Sequence, residues 1–218
     1  MTSERESMKT TTEDARGLIL NAARPRSSKD SNPSMILIHD EFVSREECAR
    51  LKQIYLRYSK YATNKDYNFN PVLHYYDVTD RDPGSARLLL NVGVAVRDEV
   101  ATCFGVATLF IESIFIACLW PGDLHTAHAD NAKLVRRKWV PNHTAQRSHS
   151  GLLYINEGFS GGDLRFPERG LSVPPKPGRL VVFPSSKKFV HSVQRLRTGR
   201  RFSVPVWLTL DPKMEMTH

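Results

Sequence analysis

The chain has 218 residues, and its 31 Lys and Arg against 23 Asp and Glu give a formal net charge of +8. With 40% hydrophobic residues it can bury a substantial core, yet no apolar run reaches the roughly 18 residues that a membrane span needs. A basic balance suits acidic small molecules, acidic protein surfaces or nucleic acid, although a solvated basic surface is the simpler explanation. Composition therefore disfavours a membrane association and leaves the partner open.

The cysteines and the N-terminus indicate a compartment. Cys48, Cys103 and Cys118 are widely spaced and form no C-x-x-C motif, which is typical of reduced thiols. The opening sequence "MTSERESMKTTTEDARG" has no apolar core of the kind that a signal peptide carries. We therefore expect a cytoplasmic protein.

The N-terminal part divides into an arm and the start of a domain. Residues 1–33 are polar and rich in Ser, Thr and Arg, which predicts a flexible arm with one short helix near Ala15–Ala23. Residues 34–218 are expected to form one domain. A strand and then a helix follow in "SMILIHDEFVSREECARLKQIYLRY", where Ser44 and Glu47 have the spacing of a capping box.

The remaining pattern predicts an α+β fold that is mainly β. Residues 60–84 are loop-like, with one strand expected around Val72–Val78, and a second helix is expected from Ser85 to Phe104. After residue 105, short β-rich runs alternate with turn residues: "TLFIESIFIACLW", "SGLLYIN", "GGDLRFP", "GRLVVFPSS", "FVHSVQRL" and "RRFSVPVWLTL". Strands at this spacing predict an antiparallel sandwich or barrel.

One triplet in "LHTAHADNAK" has the composition of a metal site. In an extended strand, His128 and Asp130 project from the same face. A distal histidine, His191 in "FVHSV", would complete a set of two imidazoles and one carboxylate. This is the ligand set of non-haem Fe(II) sites, and it leaves coordination positions free for other ligands.

The last strand, "RRFSVPVWLTL", is divided by alternation into two faces. One face carries Arg201, Ser203, Pro205 and Trp207, and the other carries Phe202, Val204, Val206 and Leu208. The second set is apolar and is expected to be core. Arg201 and Ser203, two residues apart and facing the interior of a barrel, can bind a carboxylate through charge-assisted hydrogen bonds.

Together these motifs resemble the 2-oxoglutarate and Fe(II)-dependent dioxygenases, and most closely their prolyl hydroxylase branch. The segments "HADN", "GLLYINEGFSGGDLRFP", "PKPGRLVVFPSS", "HSV" and "GRRFSVPVW" stand in the order that this branch shows, over roughly residues 115–212. The stretch "VPVWLTLDP" is most similar to the prolyl 3-hydroxylase, or leprecan-type, catalytic domain. The resemblance implies a double-stranded β-helix, a cupin-like jelly roll, supported by N-terminal helices.

The resemblance also implies roles for particular residues. The catalytic residues that bind iron would be His128, Asp130 and His191. The 2-oxoglutarate would be bound by Arg201, Ser203 and Tyr154. The substrate would contact Trp120, Arg147 and His149, with Trp120 standing where relatives often carry a tyrosine. Fe(II) would be the cofactor, with 2-oxoglutarate and O2 as cosubstrates.

We therefore expect an oxygenase that hydroxylates an aliphatic C–H of a proline, another amino acid or a peptide-like molecule, releasing succinate and CO2. Two alternatives stay open. A nucleic-acid demethylase of the same superfamily is motivated by the charge, but the arginine spacing of such enzymes is not found here. A non-catalytic metal-binding jelly roll is disfavoured because cosubstrate residues accompany the metal ligands.

Several other polar residues have simpler interpretations. His125 and His143 are expected to be loop histidines, and "RRK" at 136–138 a solvated loop, with a lid over the site as the alternative. Arg200 should point away from Arg201 into solvent, because neighbouring residues in a strand face opposite ways.

Overall fold

The computed structural model describes residues 35–63 and 70–216. The predicted arm at 1–33, with its helix near Ala15–Ala23, lies outside the described residues. Within the described part, no helix combines the length and the apolar character that crossing a membrane requires.

The described residues form three α-helices and four short 3-10 helices. The α-helices are α1 (Arg45–Tyr58), α2 (Tyr75–Thr79) and α3 (Pro83–Phe104), and the 3-10 helices are Ser59–Tyr61, Pro167–Arg169, Lys187–Phe189 and Pro212–Met214. The predicted capping box of α1 is confirmed: the Glu47 amide donates to Ser44 Oγ at 3.1 Å, and the Ser44 amide donates to Glu47 Oε2 at 3.0 Å. The predicted second helix is also confirmed and starts at Pro83, two residues early, where the Asp82 carboxylate accepts from the Ser85 amide.

The strand expected around Val72–Val78 is wrong over most of its length. Only Leu73–His74 is a strand, and α2 follows at once. The reason is local, because the carboxylate of Asp77 accepts the His74 amide at 2.8 Å and so caps a helix at its first turn.

Within the described residues, fourteen strands form two main sheets, a hairpin and a small two-stranded sheet. They are β1 (Leu37–His39), β2 (Leu73–His74), β3 (Phe110–Leu119), β4 (His125–His128), β5 (Ala132–Val135), β6 (Lys138–Pro141), β7 (Arg147–Tyr154), β8 (Ser160–Gly161), β9 (Leu164–Phe166), β10 (Leu171–Val173), β11 (Leu180–Pro184), β12 (His191–Val193), β13 (Leu196–Thr198) and β14 (Arg201–Thr209). The main sheet has the order β1-β11-β7-β14-β3-β2, and the minor sheet has the order β10-β9-β12-β4. The hairpin is formed by β5 and β6, and the small two-stranded sheet by β8 and β13. Every strand pair is antiparallel, as expected.

The main sheet separates two cores. Its helix side carries the larger core, to which alternate strand residues such as Leu153, Val182 and Val204 contribute. Its other side, facing the minor sheet, carries Tyr154, Val181 and Phe183. The helix α3 lies very close to the sheet at Gly151, where an added Cβ would come within 2.5 Å of Val96 Cγ1. Close helix packing on one side therefore leaves the other side of the sheet for a site.

A hairpin that the sequence did not predict follows the H-x-D triplet. Strands β5 and β6 pair through Val135 and Lys138, and the turn between them has positive φ at both Arg136 (46°) and Arg137 (65°). Glycine or asparagine normally marks such a turn, so arginines gave no signal. The "RRK" segment is thus the exposed tip of a hairpin rather than an irregular loop.

Candidate functional site

A cavity of about 290 Å³ lies between the main and minor sheets. Strands β3, β7 and β14 supply one wall, and β4, β9 and β12 supply the other. Its lining includes His125, His128, Asp130, Arg147, Ser150, His191, Arg201, Ser203, Pro205 and Trp207. The face of β14 that alternation assigned to the interior therefore lines this cavity.

The three predicted metal ligands converge at one end of the cavity. His128 ends β4 and His191 begins β12, and the two residues are paired across the minor sheet. The Nε2 atoms of His128 and His191 each lie 3.8 Å from a carboxylate oxygen of Asp130. Their potential ligand atoms all fall within 4.8 Å of one another, which is compact enough to hold one ion. That these residues bind iron stays a prediction.

Both imidazoles are oriented by backbone carbonyls. Nδ1 of His128 lies 2.7 Å from the Thr126 carbonyl oxygen, and Nδ1 of His191 lies 3.0 Å from that of Phe189. A carbonyl only accepts, so Nδ1 carries the proton and Nε2 keeps its lone pair toward the centre of the triad. The sequence therefore sets the tautomer through short local contacts, two residues before each histidine.

A small polar network holds Asp130. The hydroxyl of Ser150 donates to Asp130 Oδ2 at 2.6 Å and lies 2.7 Å from the hydroxyl of Ser185. Thr144 Oγ1 and Asn142 Nδ2 donate to the Asp130 carbonyl at 2.7 and 3.2 Å. Sequence reasoning missed these residues, because they come from β7, the end of β11 and the segment after the β5–β6 hairpin, and nothing local marks them.

Electrostatics favour a charged carboxylate at Asp130 beside a neutral imidazole at His191. Burial alone would raise the pKa of Asp130, but His191, His128 and the Ser150 hydroxyl outweigh burial, so the pKa of this carboxyl lies below its ordinary value. Burial lowers the pKa of His191, with Asp130 opposing that change. A charged carboxylate and neutral imidazoles are the forms in which these groups bind a metal.

Arg201 carries a buried guanidinium without a partner at the same cavity. Its side chain is 2% exposed, and neither Nε nor Nη1 has a hydrogen-bond partner among the described residues. The hydroxyl of Tyr154, whose ring lies 4.9 Å from the guanidinium carbon, is likewise buried and unpaired. Burial lowers the pKa of Arg201 and raises that of Tyr154. Buried donors of this kind are costly unless a ligand satisfies them.

The backbone around Arg201 is fixed by a buried amide. Asn156 accepts from the Phe202 amide at 2.7 Å and donates to the Arg200 carbonyl at 2.8 Å. Gly162 makes room for the arginine stem, because an added Cβ would lie 2.9 Å from Arg201 Cδ. Arg200 itself is exposed, as expected, and its guanidinium faces outward over the ring of Trp120 at 5.2 Å.

His125 was expected in a loop, and this expectation is wrong. It begins β4, lines the cavity and has a pKa lowered to about 3, first by burial and then by the charge of Arg201. A neutral imidazole close to Arg201 adds a polar group to the cosubstrate end of the cavity. Strict alternation within "HTAH" would place His125 and His128, which are three residues apart, on opposite faces. The register between β4 and β12 shifts between these two residues, so both line the cavity.

Arg147 lies in the cavity wall, but its charge is already paired. Its Nε donates to both carboxylate oxygens of Glu112 at 3.0 and 3.1 Å, and its guanidinium stacks 3.4 Å from the ring centre of Trp207. The pair is almost fully buried. Arg147 therefore shapes the wall, and its contact with substrate stays a prediction.

Two of the predicted substrate contacts do not line this cavity, and their contact with substrate stays a prediction. Trp120 follows the last residue of β3, is 48% exposed and does not line the cavity. His149 faces the helices, with its ring 4.9 Å from that of Phe104. Its neighbour Ser150 takes the cavity side, and a register shift between β7 and β14 turns Arg147 back to the cavity.

Comparison with known proteins agrees with this geometry. Residues 115–209 match the family model of the 2OG-Fe(II) oxygenase superfamily. This match supports the superfamily that the sequence motifs predict. Chicken (Gallus gallus) prolyl 3-hydroxylase 2 is 29% identical over 218 residues, which cover 85% of this chain and 31% of the relative. The chain thus spans under a third of the length of this relative, and the prolyl hydroxylase branch predicted from the motifs is confirmed.

Solved structures confirm the fold. The 2OG complex of a viral collagen prolyl hydroxylase from Paramecium Bursaria Chlorella virus-1 matches with a TM-score of 0.59 at 16% identity, over 80% of this chain and 94% of that one. A Trichoplax adhaerens prolyl hydroxylase bound to a hypoxia inducible factor peptide matches with a TM-score of 0.63 at 17% identity, over 86% and 88%. The predicted jelly roll with supporting helices is therefore confirmed.

The residues present fit the cofactor that the family implies, Fe(II), and its cosubstrates 2-oxoglutarate and O2. The triad offers two nitrogen donors and one oxygen donor without sulfur, a set that suits Fe(II) and leaves positions open. The unpaired donors of Arg201 and Tyr154 match the distal carboxylate of a dicarboxylic acid. Metal-binding groups and a carboxylate-binding group thus line one cavity.

Proposed function

We propose that this chain is an Fe(II)- and 2-oxoglutarate-dependent oxygenase that hydroxylates an aliphatic C–H of a prolyl or similar amino-acid residue in a peptide-like substrate. The observation that carries the proposal is the buried, unpaired guanidinium of Arg201 in the cavity that also contains His128, Asp130 and His191. A metal site alone would suit many proteins. A metal site with a carboxylate receptor in the same small cavity suits few.

The bound iron, with 2-oxoglutarate and O2, supplies the oxidation of a C–H bond and the conversion of the cosubstrate to succinate and CO2. The chain's own contribution is placement. His128 and His191 present Nε2 lone pairs, and the Ser150 hydroxyl holds Asp130 in position. Arg201, fixed by Asn156 through its neighbours, would bind the distal carboxylate and so orient the cosubstrate.

The open side of the cavity defines where substrate enters. The His128 side chain is 38% exposed, whereas those of Asp130 and His191 are 7% exposed, so the triad is accessible from the His128 side. The β5–β6 hairpin is rooted beside it, through a bridge between Ala129 and Ala132. An extended peptide could approach between this hairpin and the wall that Trp207 and Arg147 form. The peptide-bound relative from Trichoplax adhaerens supports this substrate class.

We further propose that the protein works in the cytoplasm with reduced cysteines. None of Cys48, Cys103 and Cys118 forms a disulfide, and burial raises the pKa of Cys48 to about 11 and of Cys118 to about 12. Thiols held in this protonated form resist oxidation. Fractionation of cells that express the full-length protein would test the compartment.

The test of the activity is a substrate screen with full-length protein, Fe(II) and 2-oxoglutarate. Candidate prolyl peptides, free amino acids and methylated DNA and RNA are compared by succinate release and by mass spectrometry. We expect a peptide that gains one oxygen atom for each succinate formed, with Asp130→Ala inactive. Demethylation of nucleic acid instead would replace the proposed substrate class. Binding of iron and 2-oxoglutarate with no succinate from any substrate would contradict the activity.

A further inference from the structure

A second cluster of metal-binding groups lies away from the cavity, on the helix side of the main sheet. It consists of His39 at the end of β1 and of Glu99 and Cys103 on α3, and the potential ligand atoms of all three lie within 4.8 Å of one another. His39 Nδ1 is 3.4 Å from Glu99 Oε1, and Cys103 Sγ donates to the same oxygen at 2.8 Å. None of the three lines the catalytic cavity.

Two rigid elements place these side chains. Glu99 and Cys103 are four residues apart on α3, so they lie on one helical face, flanking the buried positions Val96 and Val100. His39 pairs with Leu180 of β11, which fixes the end of β1 in the main sheet. The side chains of His39 and Glu99 are 17% and 19% exposed, so the site is accessible to ions yet partly shielded from water. Little reorganisation is needed to bring the ligands together.

The donor set selects a kind of ion. A thiolate, an imidazole and a carboxylate suit Zn²⁺, which accepts sulfur, nitrogen and oxygen donors in a tetrahedron and can keep water in the fourth position. With metal–ligand distances of about 2.0–2.3 Å, tetrahedral ligand atoms stand roughly 3.3–3.7 Å apart. The separation of 3.4 Å between His39 Nδ1 and Glu99 Oε1 already meets this requirement. Cys103 Sγ, at 2.8 Å from Glu99 Oε1, has to move away by less than one atomic diameter to reach the same separation.

We propose that His39, Glu99 and Cys103 form a second, zinc-type metal site that joins β1 to α3. On binding, the Cys103 thiol releases its proton to solvent, and a Zn–S bond replaces the S–H···O hydrogen bond. One thiolate and one carboxylate neutralise the dication, so the occupied site carries no net charge. The site is independent of the proposed catalysis, and its role is to stabilise the folded chain by binding only that state.

The first test uses Co²⁺ as the probe, with full-length protein under reducing, oxygen-free conditions. A sulfur ligand gives an ultraviolet thiolate-to-cobalt charge-transfer band, which the catalytic triad cannot give because it contains no cysteine. We expect the band in the wild type and in Asp130→Ala, its loss in Cys103→Ser, and its retention in the matched cysteine control Cys48→Ala. Absence of the band from the wild type, or its persistence in Cys103→Ser, would overturn the proposal.

The second test measures Zn²⁺ directly in the Asp130→Ala background, where the catalytic triad is disabled. Calorimetric titration should give about one bound Zn²⁺ per chain, and Zn²⁺ should raise the unfolding temperature. Adding Cys103→Ser or His39→Gln should abolish both effects without changing the circular dichroism of the metal-free protein. Equal zinc binding with and without Cys103 would refute the site, whatever the catalytic activity proves to be.

Discussion

The two faces of the main sheet use the same strands for different purposes. On β14, the face toward the helices carries Phe202, Val204, Val206 and Leu208, all of which are buried in the larger core. The face toward the minor sheet carries Arg201, whose buried donors have no partner among the described residues. One side of the strand therefore stabilises the fold, whereas the other keeps an unsatisfied polar group. Such a group costs stability and is retained where a ligand satisfies it.

The comparison predicts that substitutions facing the cavity reduce activity, whereas substitutions facing the helices reduce stability. The largest effect is expected at Asp130, since removing the carboxylate deletes the single anionic group of the triad. Asp130→Ala should reduce succinate formation below detection and release the iron, while the protein stays folded. The matched control is Asp80→Ala, at an exposed aspartate that does not line the cavity. Equal turnover of Asp130→Ala and the wild type would contradict the assignment.

The next effect is on stability and lies on the helix face. Leu208 is fully buried, whereas Leu210, two residues later, is 57% exposed. Leu208→Ala should lower the free energy of unfolding by about 2–5 kcal/mol, because it removes buried methyl groups and leaves a cavity. Urea denaturation measures this change, and 2-oxoglutarate affinity at low temperature should be unaltered. If Leu210→Ala were as destabilising, burial in the larger core would not explain the loss at Leu208.

A smaller effect is expected at the cosubstrate anchor. A hydrogen bond to a charged group contributes about 1.5–3 kcal/mol, so Arg201→Met should weaken 2-oxoglutarate binding by roughly 10- to 150-fold. Iron affinity should hardly change, since Arg201 is not among the potential ligands. Arg200→Met is the control, because Arg200 is exposed and directly precedes the same strand. Should Arg200→Met prove the more damaging change, the carboxylate receptor has been misplaced by one residue.

The smallest effect concerns pH and the helix face of β7. Burial lowers the pKa of His149 to about 4, below the ordinary 6.5 that it regains on unfolding. The unfolded chain therefore binds more protons in this range, and metal-free protein should lose stability as the pH falls from 6.5 toward 4. His149→Gln should make this loss less steep, although His125 keeps part of it. Urea titrations at several pH values measure the slope. His143→Gln, at an exposed histidine, is the control. If the slope in His149→Gln did not differ from the slopes in the wild type and in this control, the explanation would be contradicted.

How much the sequence reveals also differs between the two faces. Alternation along "RFSVPVWL" was enough to predict both faces of β14, and the capping box was enough to predict the start of α1. Predictions from periodicity failed where local contacts changed the secondary structure or the register of a strand. Asp77 caps a helix inside an expected strand, and register shifts at β4 and β7 change the sides on which His125 and Arg147 lie. A bulge depends on how a strand pairs with its neighbour, so the sequence of the strand alone does not predict it.

The metal ligands were predictable from residue types, but their support was not. His128, Asp130 and His191 stand out because two imidazoles and a carboxylate are rarely arranged this way without a metal. Ser150, which holds Asp130, and Ser185, which contacts Ser150, are common residues far apart in sequence that meet only in the folded sheet. Long-range contacts of this kind leave no local pattern in a single sequence.

The central claim is that one cavity binds both Fe(II) and 2-oxoglutarate, and an anaerobic titration tests it most directly. Metal-free protein is titrated with Fe(II), and 2-oxoglutarate is then added while the visible spectrum is recorded. We predict about one Fe(II) per chain and a weak visible charge-transfer band that develops only when 2-oxoglutarate chelates the bound iron. Iron binding without this band, or a band that survives in Asp130→Ala, would contradict the account.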